Sequence, residues 1–267
     1  MKPPVLPPLS PVDGGEPPTF YMDDDPLLES GARDVVRVRE LVKELQSLTA
    51  GGMHFADNLI VWGRNMSALS DVAFRKAWTS NCAAHSDVSI MWRRYILCTT
   101  AYHCVHLEGD FVEAGTLNGT AIKTIIDYFG RENFQKNFWG YDTFDYNPVK
   151  SHNFGGQKEG LLKKVLERFV AYEQVKIIAG LLPESLRGNS PEKIAFMHVD
   201  LNSAEYEVAV LDALFDRLVA GGVLILDDYE WSGPYRAQKI AEDAWFDRRG
   251  HRVIPLPTGQ GMVIKHL

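Results

Sequence analysis

DFVEAGTLNGTAIKTIIDYFG, residues 110–130, is the stretch whose reading decides the fold. Phe111 and Val112 begin a short apolar run that meets Glu113, Ala114 and Gly115. Beyond Gly119 the apolar residues recur at Ile122, Ile125, Ile126 and Phe129, the spacing of one helix face. The segment reads strand, glycine turn, helix. Glycine lets backbone approach a ligand closely, and the first turn of a helix offers N–H groups without intrahelical partners, so this turn suits a nucleotide-like ligand. It equally describes a plain tight connection between strand and helix, and by itself it does not choose.

Downstream, the period alternates. Residues 137–143 (NFWGYDT) end a second apolar run in Asp142, and residues 160–171 carry Leu161, Leu162, Val165, Leu166, Phe169 and Val170 at helical spacing. Further strands are read at 175–179, 194–199 and 223–226, with a helix between the last two marked by Val208, Leu211, Leu214, Phe215 and Leu218. Such alternation implies right-handed crossovers and a parallel sheet covered on both faces. The final runs, 251–256 and 262–266, are separated only by PTGQG, too short for a helical crossover, and predict an antiparallel hairpin. The expected fold is α/β, doubly wound, with a mostly parallel seven-stranded sheet that ends in an antiparallel hairpin strand.

Upstream, residues 1–22 hold most of the early prolines and no periodic face, which predicts an extended tail. Residues 23–106 read as mainly helical, with patterns at 25–48, 60–69, 71–79 and 88–106, and are expected to cap a pocket or form a dimer contact ahead of a ligand-binding domain at 107–267. The balance of 28 basic to 35 acidic residues gives a net charge of −7, a poor basis for replacing phosphate counterions, so nucleic acid is not expected as a partner. Cys82, Cys98 and Cys104 show no metal spacing and are odd in number, which argues for reduced thiols. No run reaches the ~18 apolar residues of a membrane span and no signal-peptide core is present, so a cytoplasmic location and no membrane partner are expected.

The acids gather at strand ends, where doubly wound sheets bind ligands. Asp142 follows Gly119 by 23 positions and is placed to accept from both hydroxyls of a ribose. The turn reads E-A-G-T-L-N-G, not G-x-G-x-x-G, and Glu113 puts negative charge where a pyrophosphate would lie. A cationic or zwitterionic ligand such as S-adenosylmethionine suits it better, although a turn or helix-dipole role would also explain the acid. Asp200, at the end of the fourth strand, and Asp227 with Asp228, at the end of the fifth, would converge on one spot. Oxygen-only ligation there favours Mg²⁺, with Mn²⁺ or Ca²⁺ as alternatives, while helix capping or pairing with Arg or Lys is the plainer account.

Together, FVEAGTLNGTAIKTI, GYDTFD, IAFMHVDLNSAEYEVAVLDALFDRLVAGGVLILDDYEW and PTGQGMVIK resemble a class I S-adenosylmethionine-dependent methyltransferase, and more closely the metal-dependent macrocin O-methyltransferase (TylF-like) family, over residues 105–267. The resemblance implies cofactor binding by Glu113, Ala114, Gly115, Asn118, Gly119, Thr120, Asp142 and Thr143, and Mg²⁺ held by Asp200, Asp227 and Asp228. It also implies methyl transfer to a hydroxyl of a small molecule such as a sugar or other natural product. Antibiotic-sugar members carry a second acid, assigned as general base, two positions after the first; here that position is Asn202, an amide that cannot take the proton. The catalytic set read from the chain is therefore Asp200, Asn202 and His198, with His152 as another candidate base, each histidine having a plain structural reading beside it. Ser151, His152, Asn153, Gly155 and Gly156 would form a loop near the substrate or a simple connection. Tyr229 and Trp231 would line an aromatic wall or pack at the sheet edge. His85 and the Trp92, Arg93, Arg94 group are read as burial and ordinary salt bridges. A nucleoside-binding protein without catalysis and an NAD-linked oxidoreductase are the other functions considered, and a homodimer or higher homo-oligomer is expected.

Overall fold

The computed structural model describes residues 35–49, 52–82, 85–144, 159–231 and 235–266. The proline-rich tail and the loop containing Ser151, His152, Asn153, Gly155 and Gly156 lie outside the described residues. The first half comprises α1 (Val35–Leu48), β1 (Met53–Ala56), β2 (Leu59–Trp62), α2 (Ser67–Ser70), α3 (Val72–Asn81), α4 (His85–Ser89) and α5 (Met91–Cys104). There follow β3 (Asp110–Ala114), α6 (Thr120–Phe129), β4 (Phe138–Asp142), α7 (Leu161–Arg168), β5 (Val175–Ala179) and β6 (Ile194–Val199). The chain closes with α8 (Ala204–Leu214), β7 (Leu218–Leu226), α9 (Arg236–Arg248), β8 (Ile254–Pro255) and β9 (Gly261–Ile264).

Seven strands form one sheet in the order β5-β4-β3-β6-β7-β9-β8. The pairs from β5 through β7 are parallel, and β9 is antiparallel to both β7 and β8. From β3 the chain winds outward to β4 and β5, then returns to the other side of β3 as β6. The order thus reverses between β3 and β6, the position where such sheets open a ligand crevice at their carboxyl ends.

Alternation along the central strands divides the core. Phe111, Phe196 and Ile225 face a layer that includes Phe74 of α3, Leu97 of α5 and Ile125 of α6. Val112, Met197 and Leu224 face Val210 and Leu211 of α8 and Trp245 and Phe246 of α9. Every residue of β6 is buried, as a strand covered on both faces requires. Part of the N-terminal helical region therefore shares a core with the sheet.

The helix expected at 60–69 is replaced by a hairpin followed by the short α2. Asp57 and Asn58 both have φ of 53°, which fits a two-residue type I′ turn, and Ala56 pairs with Leu59 across it. The 88–106 pattern breaks at Ile90 into α4 and α5. Helix α9 carries no readable apolar face, because its buried side includes Gln238 and Glu242 beside Trp245 and Phe246, while Ile240 is exposed.

Candidate active site

Backbone hydrogen bonds carry the sheet register past the strand ends. Asp200 N–H donates to Ala114 O at 2.8 Å, Gly115 N–H to Tyr141 O at 2.8 Å and Asp227 N–H to Val199 O at 2.9 Å. At the switch point Gly115 has φ of +96°, and a Cβ on it would stand 1.8 Å from the Asp200 carbonyl oxygen. Only glycine permits that contact. Here a cleft opens to solvent at the carboxyl ends of the strands, where such sheets bind small molecules. Gly115, Asp142, Thr143, Asp200 and Asn202 line it, as the sequence suggested, together with Leu117, Gly180, Leu181, Leu182, Leu201 and Tyr206, which it did not.

Asp142 is fixed at the end of β4. Its Oδ2 accepts from Leu117 N–H at 2.7 Å and its Oδ1 from Phe144 N–H at 2.9 Å, leaving each oxygen further acceptor capacity. Glu113, Ala114, Gly119 and Thr120 are buried and Asn118 is half-buried; none of them lines the cleft. Gly119 begins α6 against the Phe169 ring, which lies 2.4 Å from the position its Cβ would take. Three buried side-chain oxygens around this turn, Glu113 Oε2, Thr116 Oγ1 and Thr120 Oγ1, have no hydrogen-bond partner. Thr116, like Glu113 and Thr120, is absent from the lining of the cleft, so these atoms lie within the turn and not on its open face.

Behind the cleft, His198 is held between two acids, with Nδ1 at 2.9 Å from Glu113 Oε1 and Nε2 at 3.3 Å from Asp227 Oδ1. Burial alone would lower its pKa, but the hydrogen bonds to Asp227 and Glu113 raise it to about 10. Buried, with both ring nitrogens on carboxylates and absent from the cleft lining, His198 is not placed to reach a substrate proton; His152 lies outside the described residues. Asn202, with φ of 54°, donates through Nδ2 to Asp200 Oδ1 at 3.3 Å. Burial and the charges of Asp227 and Asp228 push the Asp200 carboxyl well above the usual carboxylate range.

Arg93, read from the sequence as burial and ordinary salt bridges, is buried and ion-paired, and its partners are the strand-end acids. Its Nη1 donates to Asp227 Oδ2 at 2.8 Å and to Asp228 Oδ1 at 3.1 Å, and its Nε to Thr258 O at 3.3 Å. The guanidinium carbon lies 4.6 Å from the Trp231 ring centroid, so this tryptophan stacks on Arg93. Tyr229 is buried at the sheet edge with its hydroxyl on Asp243. Asp57, in the β1–β2 turn, caps α5 by accepting from Trp92 N–H at 2.7 Å and Arg93 N–H at 3.1 Å.

This arrangement bears on the expected metal. Among the described residues the donor group close enough to share an ion is His198, Asp200 and Asp227, with ligand atoms within 4.8 Å of one another; Asp228 is not in it. His198 is engaged at both nitrogens, while Asp227 gives Oδ1 to His198 and to Gln260 Nε2 and Oδ2 to Arg93. As arranged, both oxygens of Asp227 and one of Asp228 are already engaged, so a divalent cation shared by the three aspartates would have to displace Arg93, His198 or Gln260.

A second acid pair supports the cleft from beneath. Glu207 Oε1 accepts from the backbone N–H of Leu201 at 3.1 Å and from Gln238 Nε2 at 2.8 Å. Burial, with Glu242 alongside, raises Glu207 well above its ordinary value, and burial lifts Glu242 to about 7. Raised folded-state values mean stability that is complete below the unfolded value near 4.5 and is lost as pH rises through about 7. Urea unfolding should show stability falling by about 2–3 kcal/mol between pH 5.5 and 8.5, and Glu242→Gln should remove at least half of that fall. Parallel pH profiles for the two proteins would disprove the assignment.

The macrocin O-methyltransferase (TylF) family model matches residues 97–250, a span running from α5 through the strand-end acids to the end of α9. The chain belongs to the macrocin O-methyltransferase family. It is an S-adenosylmethionine-dependent O-methyltransferase. A relative from Streptomyces olivaceus, 8-demethyl-8-(2,3-dimethoxy-alpha-L-rhamnosyl)-tetracenomycin-C 4'-O-methyltransferase, is 25% identical over 183 residues, covering 60% of this chain and 67% of its own. A calicheamicin methyltransferase aligns with TM-score 0.57 at 17% identity, covering 92% of this chain and 99% of its own. The O-methyltransferase NovP aligns with TM-score 0.55 at 19% identity, covering 69% and 83%. Both solved structures share the fold of this macrocin O-methyltransferase family member. No helix among the described residues is long and apolar enough to cross a membrane.

Proposed function

We propose that the cleft at the β3–β6 switch point holds S-adenosylmethionine and that the chain methylates a hydroxyl of a small glycosylated or polyhydroxylated natural product. The observation that carries this reading is the placement of Asp142 and Asp200 in one cleft, on the strands flanking β3, with Gly115 between them. Asp142 would accept from the ribose hydroxyls. Glu113, Ala114, Asn118, Gly119 and Thr120 shape the turn behind the ligand, while Gly115 and Thr143 contact it. The rhamnosyl acceptor in the name of the Streptomyces relative supports a sugar hydroxyl as the target.

Bound, the cofactor supplies an electrophilic methyl group on a sulfonium. With it bound, Asp200 would take the hydroxyl proton of the acceptor as the methyl passed from sulfur to that oxygen and the bonding pair remained on sulfur. Asn202 holds Asp200 Oδ1 and leaves Oδ2 for that proton. The walls contribute alignment and partial exclusion of water, which together supply much of the rate. Magnesium, which the resemblance implies, enters no step because Arg93 already occupies oxygens of Asp227 and Asp228.

The test is incubation of the purified protein with methyl-labelled S-adenosylmethionine and a panel of rhamnosylated and otherwise glycosylated aromatic compounds beside their aglycones. Label is expected on a sugar oxygen. Cofactor binding without transfer to any glycosylated compound would count against the acceptor class.

A further inference from the structure

We infer that Arg93 is the resident cation of the acid cluster and a positioning residue for methyl transfer, holding Asp227 and Asp228 in place of a divalent metal so that the reaction runs without one. This rests on the reading of the cleft as the methyl-transfer site. A single nitrogen, Nη1, bonds both carboxylates, at 2.8 and 3.1 Å, and therefore stands between them. A guanidinium is never deprotonated in a protein, so the charge it brings is permanent.

Arg93 is also anchored on its other sides. Thr258 O accepts from Nε, the Trp231 ring covers the guanidinium face, and Asp57 Oδ1 lies 3.9 Å from Nε. A metal bridging Asp227 and Asp228 would need oxygen ligands at roughly 2.1 Å, yet Arg93 bonds Asp227 Oδ2 and Asp228 Oδ1, and Asp227 Oδ1 is taken by His198 and Gln260, so any bridge would have to displace an existing bond. Two cations on the same oxygens, with a buried arginine as one of them, repel with little solvent between. Asp200 lies outside the hydrogen bonds of Arg93, which leaves it for the proton. The balance of the transfer is unchanged: the methyl moves from sulfur to oxygen, the proton from oxygen to Asp200, and no further ion enters.

The same contacts give the N-terminal layer a part in the chemistry. The β1–β2 turn presents Asp57, Asp57 fixes the first turn of α5, and that turn aims Arg93 at the strand-end acids. A positioning residue of this kind should lower kcat more than it raises KM when its charge is lost.

The experiment uses the full chain, dialysed against EDTA, in three arms. Calorimetry with S-adenosylhomocysteine establishes cofactor binding, calorimetry with MgCl₂ and MnCl₂ reads metal binding directly, and labelled methyl transfer is measured with EDTA or with Mg²⁺. Wild type is expected to show no saturable metal binding below about 1 mM and kcat within about twofold in the two conditions. Arg93→Met is expected to lose about tenfold or more in kcat in EDTA and to acquire saturable Mg²⁺ binding, whereas Arg93→Lys, which keeps a charge, should lose less. Saturable Mg²⁺ binding by wild type together with abolition of transfer by EDTA would overturn the inference. Should Arg93→Met not fold, the wild-type and Arg93→Lys arms still decide it. Failure to bind S-adenosylhomocysteine would refute the reading of the cleft instead, and the metal titrations would still report on Arg93.

Discussion

Gly115→Ala is expected to destabilise the protein by about 3–5 kcal/mol and to weaken S-adenosylhomocysteine binding by more than about a hundredfold. The added methyl carbon would lie 1.8 Å from the carbonyl oxygen and 2.6 Å from the carbonyl carbon of Asp200. Neither obstacle is a side chain that could rotate away. Both belong to the segment that leaves β6, and the Asp200 N–H is itself bonded to Ala114 O, one residue before the glycine. Relief requires β3 and β6 to separate at their carboxyl ends, which breaks that bond and reshapes the cleft where Asp142 and Asp200 meet.

A control separates this contact from backbone strain. Gly160 also has a positive φ, +75°, but nothing lies within 4 Å of its Cβ position. Gly160→Ala should cost only about 1 kcal/mol and leave ligand binding unchanged. Denaturant midpoints and calorimetry on the two variants make the comparison, and equal costs would show that the Gly115 contact is not what shapes the site.

The importance of Gly115 was legible in the sequence, but the reason for it was not. A glycine after an apolar strand marks close approach without saying to what; the partner is a carbonyl 85 residues later, brought there by the β3–β6 pairing. Asp142, Asp200, Asp227 and Asp228 could be placed because each ends an apolar run, and the strand period puts run ends at one edge of the sheet. Helix α9 was hidden by Gln238 and Glu242, polar residues buried on the side expected to be apolar. The first hairpin was hidden by an apolar stretch, LIVW, too short to distinguish helix from strand, although Asp57-Asn58 is a turn signal.

The contact of Arg93 with the strand-end acids was the least legible part of the site. Arg93 lies 134 positions from Asp227 and sits in a helix among Trp92 and Arg94, where a charged residue usually meets solvent. Periodicity predicts which helix face is buried, but it cannot say that an arginine on that face reaches strand-end carboxylates. A cluster of acids read from sequence therefore looks like a metal site, because the arginine that bonds two of them lies far away in the chain.

Asp200→Asn is expected to lower kcat about a thousandfold while S-adenosylhomocysteine binding stays within about twofold. The Asp200 backbone, which pairs with Ala114 and closes over Gly115, is unchanged by the substitution. What disappears is the carboxylate oxygen left free when Asn202 bonds the other. Stability should move the opposite way. Removing the Asp200 charge relieves its burial and its repulsion with Asp227 and Asp228, which Arg93 bonds without bonding Asp200, and should stabilise the fold by about 1 kcal/mol at pH 8. Loss of activity with a gain of stability distinguishes a proton acceptor from a residue that merely supports the cleft, which would lose both. Asn202 provides the complementary test, since its left-handed backbone is one that Asp tolerates as well as Asn. Exchanging the pair, Asp200→Asn with Asn202→Asp, should restore about tenfold or more of the lost kcat, because it returns a carboxylate to the same cleft wall. A double variant no faster than Asp200→Asn would mean that the proton must leave from the position of Asp200 itself.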